Sequence, residues 1–421
     1  MNLRRIIWIV LLSILSTWYG ISGYTRITVS LNGDGDFTSI QKAIDAAKPE
    51  KYSPVMILIH NGLYPEKIFI QKSYLTLVGE DRDSTRIEFA ELRENWTNNH
   101  HGSDWGAGVV NIDTGTTDIT LANLTVYNNY GWKFDVFNKH QFAIRGAGTR
   151  IMLLHCKVAS DGGDALSLWN KDTGMYYHAD CIFEGWVDFV CPRGWCYIRN
   201  STFYGHNRPS ASIWHDGSKN KNQKFVITES YFDGVPGFPL GRNHLDGQIY
   251  LLNCRFSKNM ADRPFYRPPS SPREWTWGDR HYFYDCHRDG GDFSWFRNNL
   301  ERAEGSPSPE QITAAWTFDH MWNPEDSMPS ILPFAFQPVP HNNSHVRNVS
   351  HVALSWIPGR DAVSHEVYFG SVGDLKLKGT PSGASMNVSG LTPGTTYAWR
   401  VDEVRKTGKV TGETWTFSTG K

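Results

Sequence analysis

Several features that would restrict the function of this 421-residue chain are missing from its sequence. Lysine and arginine number 42 against 43 aspartates and glutamates, so no basic excess indicates a nucleic acid as partner. No Cys-x-x-Cys pair occurs, so no cysteine spacing indicates a zinc site. The apolar run at residues 6–12 is too short to span a bilayer.

The first 23 residues have the layout of a cleavable signal peptide. Arg4 and Arg5 precede the apolar run, and small or polar residues dominate positions 13–23. We predict cleavage around residues 20–23 and export to a periplasm or the extracellular space, with no membrane attachment afterwards. No cysteine occurs before Cys156, so the new N-terminus has no thiol for a lipid. An uncleaved anchor is the alternative.

Helical periodicity is confined to one short segment. Thr38 and Gln41 have the spacing of a capping box, and Ile40, Ala43 and Ile44 then follow helical spacing. This pattern predicts an amphipathic helix that would cap the open end of a solenoid. From residue 55 onward, short β-branched runs alternate with glycine, asparagine and aspartate, which is typical of strands bounded by turns.

A recurring local pattern predicts how these strands are stacked. Four cysteines share one local context, and Asn123 and Ser230 take the same position elsewhere. The separations from 123 to 156, from 156 to 181, from 230 to 254 and from 254 to 286 run from 24 to 33 residues, the repeat length of a solenoid. We therefore predict an all-β fold with a right-handed parallel β-helix over residues 24–332, and a β-propeller as the alternative. The four cysteines are Cys156, Cys181, Cys254 and Cys286, and the other two, Cys191 and Cys196, form the disulfide that we expect.

The pattern changes at a proline-rich stretch, residues 333–342, which we predict to be a linker. Beyond it, residues 343–421 alternate apolar and polar side chains with period two, as in a small β-sandwich. Residues 391–397, Leu-Thr-Pro-Gly-Thr-Thr-Tyr, resemble the tyrosine corner of such sandwiches. This part of the chain resembles a fibronectin type III domain, which implies a spacer or contact module; carbohydrate binding is the alternative.

One aspartate stands where a buried strand would require an apolar residue. Asp188 lies between Val187 and Phe189, and a carboxylate there must find a hydrogen-bonding or cationic partner or keep a proton. Gln141, Asp164 and Asp188 follow one another at intervals of 23 and 24 residues, about one coil each. Residues one coil apart lie about 4.8 Å from each other, so two carboxylates and an amide would form a column. One acid would then have a raised pKa beside an ionised neighbour; an inert polar ladder is the alternative.

At these residues the sequence resembles the pectinesterase (pectin methylesterase) family. The likeness runs along residues 27–325 in the family's motif order, beginning with Gly-Asp-Gly-Asp-Phe-Thr at 33–38. The later motifs resemble Gln-Phe-Ala-Ile-Arg at 141–145, Gly-Asp-Ala-Leu at 163–166, Val-Asp-Phe-Val at 187–190 and Leu-Gly-Arg at 240–242. Each string is weak alone, whereas their order is specific.

The resemblance implies an exported carboxylic ester hydrolase that removes methyl groups from polygalacturonate (pectin) and releases methanol. It implies that Asp188 is the nucleophile, that Arg242 orients it, that Asp164 is the general acid and base, and that Gln141 donates to the oxyanion. It also implies a monomer that acts on a methyl-esterified polyuronide without metal or other cofactor.

Aromatic residues make up 14% of the chain, a proportion that suits sugar-stacking surfaces and large apolar cores equally. Among them we expect Phe189, Trp169 and Trp214 to contact the substrate. Packing is the alternative for the tryptophans.

Three departures from the family pattern concern the substrate. Gly163 occupies the place of a second oxyanion glutamine, Asn243-His244 replaces Pro-Trp, and residues 212–217 lack the arginine of Thr-Ala-Gln-Gly-Arg. These changes remove a donor, a stacking ring and a basic contact. They favour a divergent esterase that acts on a branched or otherwise modified uronide.

Two other functions stay open at this point. Asp-Gly-Gly-Asp at 161–164 loosely resembles the acidic cluster of polygalacturonases, which are glycoside hydrolases, but the Arg-Ile-Lys string of those enzymes is absent. A pectin-binding relative without catalysis is the other alternative. The joint presence of both acids, the amide and the arginine argues against it.

Overall fold

The computed structural model describes residues 23–214, 220–269, 271, 274–326, 328–347 and 350–420. The predicted signal peptide lies outside these residues except for its last position, and so do residues 215–217 of the third departure. Within the described ranges, no helix is long and apolar enough to cross a membrane.

The strands between residues 25 and 288 form a parallel β-helix with three sheets, and the predicted fold class is confirmed. Each full coil passes through sheet I, then sheet III, then sheet II. Sheet I contains Thr25–Val29, Val55–Ile59, Leu75–Gly79, Thr117–Ala122, Thr149–Leu154, Met175–Ala179, Trp195–Arg199, Phe225–Thr228, Ile249–Leu252 and His281–Tyr284. Sheet II contains Ile68–Ile70, Val110–Ile112, Ile144–Gly146, Leu166–Trp169, Val190–Arg193, Ile213–Trp214 and Gly241–Arg242. Sheet III contains Gly62–Tyr64, Thr85–Phe89, Thr125–Asn128, Lys157–Ser160, Ile182–Gly185, Thr202–Gly205, Tyr231–Gly234, Arg255–Phe256 and His287–Arg288.

The interior of the β-helix is filled by apolar side chains that stack from coil to coil. Along sheet III, the rings of Phe183, Phe203, Phe232 and Phe256 have successive centroid distances of 5.3, 4.3 and 5.3 Å. These residues are at most 1% exposed. Burial of each contributes about 1.5–3 kcal/mol, so the stack ties neighbouring coils together.

The predicted cysteine position exists at the corner between sheets I and III. The thiols of the four cysteines at this position and Ser230 Oγ each donate to the carbonyl two residues earlier, as Cys181 Sγ does to Ala179 O at 3.2 Å. Ser201 makes the same bond and belongs to the series, which the sequence pattern missed. The placement of Asn123 is wrong by one residue: its backbone N–H donates to Leu154 O one coil on, as His155 does to Ala179 O.

The predicted Cys191–Cys196 disulfide is wrong, because both cysteines are free and buried. They lie on different sheets: Cys191 is on sheet II, where its Sγ is 3.2 Å from Ser167 Oγ, and Cys196 is part of the interior on sheet I.

A short helix, Ile40–Ala46, lies at the start of the β-helix as predicted, with Ile40, Ala43 and Ile44 buried. Its N-cap is Ser39, whose side chain accepts from Lys42 N, rather than Thr38. The other helices are Arg93–Asn99, Tyr130–Phe134 and Ala314–Thr317, with 3₁₀ turns at Ser294–Phe296, Leu300–Arg302 and Pro309–Gln311.

The C-terminal strands form two further sheets. The first contains Phe336–Val339, His351–Ile357 and Ser385–Ser389, so its first strand lies inside the stretch predicted as a linker. At the predicted tyrosine corner, Thr392 N donates to Tyr397 Oη at 2.9 Å. The second sheet contains Ser344–Val346, Thr414–Thr419, Thr396–Arg405, Ala362–Ser371 and Asp374–Gly379, with Gly408–Val410 paired to Thr396–Arg405.

The outer face of sheet I is covered, whereas that of sheet II forms the floor of the candidate site described below. Tyr177, Leu154 and Val226 on sheet I pack in one cluster with Leu332 and Phe336 of the segment that leads to the C-terminal sheets. Ion pairs join the sandwich to the β-helix: for example, His155 Nε2 lies 2.9 Å from Glu413 Oε1, and Arg26 Nη2 lies 2.8 Å from Asp361 Oδ1.

Candidate active site

Gln141, Asp164 and Asp188 occupy equivalent positions at the corner between sheets III and II, as their spacing predicts. Asp164 N donates to Val187 O at 2.9 Å, and Asp188 N makes the same bond to Ala211 O at 2.8 Å. Gln141 N donates to Gly163 O at 3.1 Å. The two aspartates are also in the left-handed backbone region, with φ of 61° and 49°. Their side chains therefore leave the corner from the same backbone conformation on adjacent coils.

Asp188 is paired with Arg242 through two hydrogen bonds. Arg242 Nε donates to Asp188 Oδ1 at 3.0 Å, and Nη2 donates to Oδ2. The strand Gly241–Arg242 places this guanidinium on sheet II, two coils beyond Val190–Arg193. Burial alone would lower the pKa of Arg242, but the hydrogen bond to Asp188 raises it. A bidentate pair of this kind favours the ionised carboxylate and fixes its orientation.

Asp164 has the opposite electrostatic character. Its pKa is raised well above the ordinary value of an aspartate, first by burial and then by the negative charge of Asp188. Arg193, Arg93 and Arg242 oppose this shift without reversing its direction. The corner thus combines a carboxylic acid whose pKa is raised with a carboxylate paired to a guanidinium, which is the asymmetry that the spacing predicts.

The outer face of sheet II forms the floor beside these acids. Arg145, Ser167, Cys191, Trp214 and Arg242 lie in register along this face. Every second residue of a strand points to the same face, so Trp169 and Arg193, which align two positions beyond Ser167 and Cys191, also face outward.

Trp169 and Trp214, the two tryptophans predicted to contact the substrate, lie on this floor, and both rings contact arginine guanidinium groups. The Arg193 guanidinium lies 4.1 Å from the ring centroid of Trp169 and 4.8 Å from that of Trp214. The Arg145 guanidinium lies 4.3 Å from the Trp169 centroid. Trp214 is 9% exposed and also contacts the ring of His244, one of the departures, edge to face at 4.8 Å.

The prediction that Phe189 contacts the substrate is wrong. Its side chain is 0% exposed and belongs to the interior cluster of the β-helix. Gly185, at the end of the preceding strand, has no side chain there, and a Cβ at that position would lie 2.5 Å from Phe189 Cβ. The ring therefore packs inward, away from the face that carries Arg193 and Trp214.

Gln141 reaches the predicted corner, but its amide is already bonded to the segment at residues 131–136. The side-chain carbonyl accepts from Gly131 N at 3.0 Å, and Nε2 donates to Val136 O at 2.7 Å. An amide NH₂ has two hydrogens, so one N–H is not accounted for by these bonds. Gln141 thus fastens a neighbouring loop, a role that the spacing does not predict.

Sequence reasoning missed two of the three arginines that act electrostatically on Asp164, Arg193 and Arg93. Arg193 could have been found, because it alternates outward with Cys191 on the strand Val190–Arg193. Arg93 begins a helix far earlier in the chain, and its backbone N–H donates to His140 O at 3.0 Å. No local pattern connects that helix to the acids.

Comparisons with known proteins agree with this architecture. The pectinesterase family model matches residues 26–234. "Probable pectinesterase 55" of Arabidopsis thaliana is 29% identical over 183 residues, which cover 40% of this chain and 49% of that protein. Pectinesterase A of Dickeya chrysanthemi is 28% identical over 248 residues, or 52% of this chain and 66% of that protein. This chain thus spans about half the length of the first of these relatives.

The fold agrees as well. The pectin methylesterase PemA from Erwinia chrysanthemi superimposes with a TM-score of 0.57 at 21% identity, covering 73% of this chain and 99% of that one. The family match, the curated relatives and the shared β-helix lead to one conclusion: residues 26–234 of this chain are a pectinesterase-family domain.

Proposed function

We propose that this chain is an exported carbohydrate esterase that hydrolyses the methyl esters of polygalacturonate. One observation carries the proposal: Asp188, paired with the guanidinium of Arg242, lies one coil from an Asp164 whose pKa is raised by burial. An ester hydrolase of this type needs a charged nucleophile and a proton donor side by side.

In the first half-reaction, an Asp188 oxygen attacks the carbonyl carbon of the methyl ester. The tetrahedral intermediate collapses with cleavage of the bond to the methoxy oxygen. Asp164 gives its proton to that oxygen, so methanol leaves and an anhydride joins Asp188 to the uronate. Burial raises the pKa of Asp164, which favours the protonated acid that this step requires.

In the second half-reaction, the now ionised Asp164 takes a proton from water. The resulting hydroxide attacks the uronate carbonyl of the anhydride, and the bond to Asp188 breaks. Asp188 is regenerated as a carboxylate, Asp164 is protonated again, and the uronic acid is released. Arg242 stabilises Asp188 as a leaving group, because it pairs with the carboxylate.

The oxyanion of both intermediates needs donors, and Gly163 supplies no side chain. We propose that Gln141 provides its second N–H, with the amide orientation fixed by Gly131 and Val136. We propose further that Arg193 supplies the positive charge that compensates for Gly163. Its guanidinium lies between Trp169 and Trp214 and acts electrostatically on Asp164. One such donor contributes about 3–4 kcal/mol to transition-state stabilisation.

We propose the same division of the chain as the sequence suggests: a β-helical catalytic part over residues 24–332 and a fibronectin type III-like module over 343–421. The contacts His155–Glu413 and Arg26–Asp361 favour a docked contact module rather than a free one. The substrate is a methyl-esterified polyuronide, and the acting species is a monomer.

The test is methanol release from methylated polygalacturonate, with reducing ends measured in the same samples. The proposal expects methanol from the wild type, none above background from Asp188→Ala, and no new reducing ends. Reducing ends without methanol would identify a glycoside hydrolase instead. Neither product, with the polymer still retained by the protein, would identify a non-catalytic binder.

A further inference from the structure

A second concave site lies on the outer face of sheet III, around the corner from the two acids. It is a cavity of about 350 Å³ bordered by Trp186, Phe137 and His206, and we call it the Trp186 groove. Pockets of small ligands begin at about this size. The mechanism above uses none of these three residues.

The groove exists because one small side chain interrupts a row of large ones. Ala159 aligns with Tyr127 on one neighbouring strand and with Glu184 on the other. All three positions face outward, since Val158 and Phe183 beside them belong to the interior. The missing side-chain volume at Ala159 therefore leaves a depression between a tyrosine and a carboxylate.

Flat aromatic rings form the side of the depression. The ring centroids of Phe137 and Trp186 are 5.6 Å apart, and those of Trp186 and His206 are 6.1 Å apart with an interplanar angle of 27°. Phe137 is 40% exposed. It follows Val136, whose carbonyl accepts from Gln141 Nε2, so the backbone beside this ring is bonded to the amide at the catalytic corner.

Polar groups on the other side are ordered and already paired. Glu184 accepts from Lys157 and is bonded to His206, both at 2.9 Å, and these contacts lower the pKa of Glu184 to about 2. Tyr127 Oη donates to Asp161 at 2.7 Å. Fixed ion pairs beside aromatic rings present hydrogen-bonding groups to a ligand without requiring that it be charged.

The charge of the groove selects against an anion. Its lining includes three carboxylates, on Asp83, Asp161 and Glu184, and two cations, on Arg86 and Lys157. At the catalytic corner, by contrast, Arg193, Arg93 and Arg242 all act on Asp164. An ionised uronate is favoured beside those arginines and disfavoured in the groove.

We propose that the Trp186 groove binds a neutral sugar unit, such as an uncharged branch of the polymer whose esterified backbone lies at Asp188. The rings would stack on the sugar, and the paired side chains would hydrogen-bond its hydroxyls. Trp186 and Asp188 are two residues apart, so their Cα atoms are within about 7 Å and one branched molecule can reach both. That the neutral unit belongs to a uronide rests on the proposed function.

The test measures binding of galactotetraose, which is neutral and carries no ester, by isothermal titration calorimetry. Unesterified tetragalacturonate is the charged comparison. The wild type should bind galactotetraose, and Ala159→Tyr, which fills the depression, and Trp186→Ala should each weaken binding about 10-fold or more. Trp186→Phe should retain part of the affinity. Thr202→Tyr, an equivalent substitution outside the groove on the same sheet, is the matched control and should bind like the wild type.

Three results would overturn the proposal. The wild type could fail to bind galactotetraose, Ala159→Tyr and Trp186→Ala could bind it with the affinity of the wild type, or tetragalacturonate could be the preferred ligand of the groove. Because the probe contains no ester, these outcomes are independent of whether the protein releases methanol. Failure of the esterase itself would instead appear as absence of methanol from the wild type. If Ala159→Tyr does not fold, the two Trp186 variants decide the question.

Discussion

Asp180 and Asp188 lie on the same coil, one at each end of the strand Ile182–Gly185, and both adopt left-handed backbone conformations, with φ of 58° and 49°. Their partners differ. Asp180 accepts from two neutral amides, Asn200 Nδ2 at 2.6 Å and Gln337 Nε2 at 3.1 Å. Asp188 accepts from the guanidinium of Arg242. The same residue type in the same backbone conformation is thus a structural acceptor at one corner and a candidate nucleophile at the other.

This difference shows that the role of an aspartate in the β-helix depends on which corner of the coil it occupies. The corner between sheets I and III repeats a left-handed polar residue on many coils, and neighbours such as His155 and Asn123 bond to one another at 2.9 Å. Gln337 and Glu413 from the C-terminal part cover it. At the corner between sheets III and II, two acids lie beside arginines, and neither Gln337 nor Glu413 covers them.

The largest expected effect separates these two aspartates. Asp188→Asn should reduce methanol release by about 10⁴-fold or more, because a neutral amide cannot replace the nucleophile. Asp180→Asn should leave methanol release unchanged, since an amide can still bond at that corner. The measurement is kcat/KM on methylated polygalacturonate for both variants. Equal losses in both would mean that the substitutions act through the fold and not through the chemistry.

Asp164→Asn should lower kcat by about 10²–10⁴-fold, because the proton donor to methanol is lost. The same variant should be more stable than the wild type at pH 7. The folded-state pKa of Asp164 is raised, so its stabilising contribution is present below the unfolded pKa of about 3.9 and is lost as pH rises toward the folded value. Denaturant unfolding at pH 7 and near pH 3 measures this: the gain should be present at pH 7 and absent at the lower pH.

Arg193→Ala should lower kcat by about 10²-fold, if its charge stabilises the oxyanion. Arg193→Lys should recover part of that loss because the charge remains, although the planar contact with Trp169 is weakened. Arg150→Ala is the matched control, since that arginine pairs with Asp118 on the covered sheet I. An effect on KM alone would assign Arg193 to substrate binding instead.

A smaller effect concerns stability only. His178 is 0% exposed inside the β-helix, and burial lowers its pKa to about 3. Because the unfolded histidine takes up a proton near pH 6.5, stability should fall as pH decreases from about 6.5 toward 3. His178→Leu, which matches Leu153 and Ile198 on the adjacent strands, should flatten this part of the stability–pH curve. An unchanged slope would show that another group controls acid unfolding.

The smallest expected effect is that of reductant. All six cysteines are free in the structure, so dithiothreitol should leave the melting temperature unchanged. Titration of the unfolded protein with a thiol reagent should detect all six thiols without prior reduction. Detection of only four thiols in the unreduced sample would instead support the predicted disulfide.

How far the sequence predicts this protein follows from the range of each interaction. The intervals between Gln141, Asp164 and Asp188 correspond to coils, so their shared ladder position was predictable from spacing. The inward direction of Phe189 was not predictable from two-residue alternation, because Val190 beside it is also part of the interior. Asn123 was placed one residue off because the corner residue and the buried residue after it can both be small and polar, so the sequence does not show which of the two positions Asn123 occupies.

The sequence by itself determined the β-helix, its repeat and the two acids, because these depend on contacts between adjacent coils that recur with a regular period. Only the tertiary structure decided that Arg93 and Arg193 act on Asp164, that Gln141 fastens the segment at residues 131–136, and that Ala159 leaves a groove beside Trp186. Arg93 and Phe137 reach these places from helices and loops that interrupt the repeat. Their final positions depend on packing against distant coils, which no local pattern encodes.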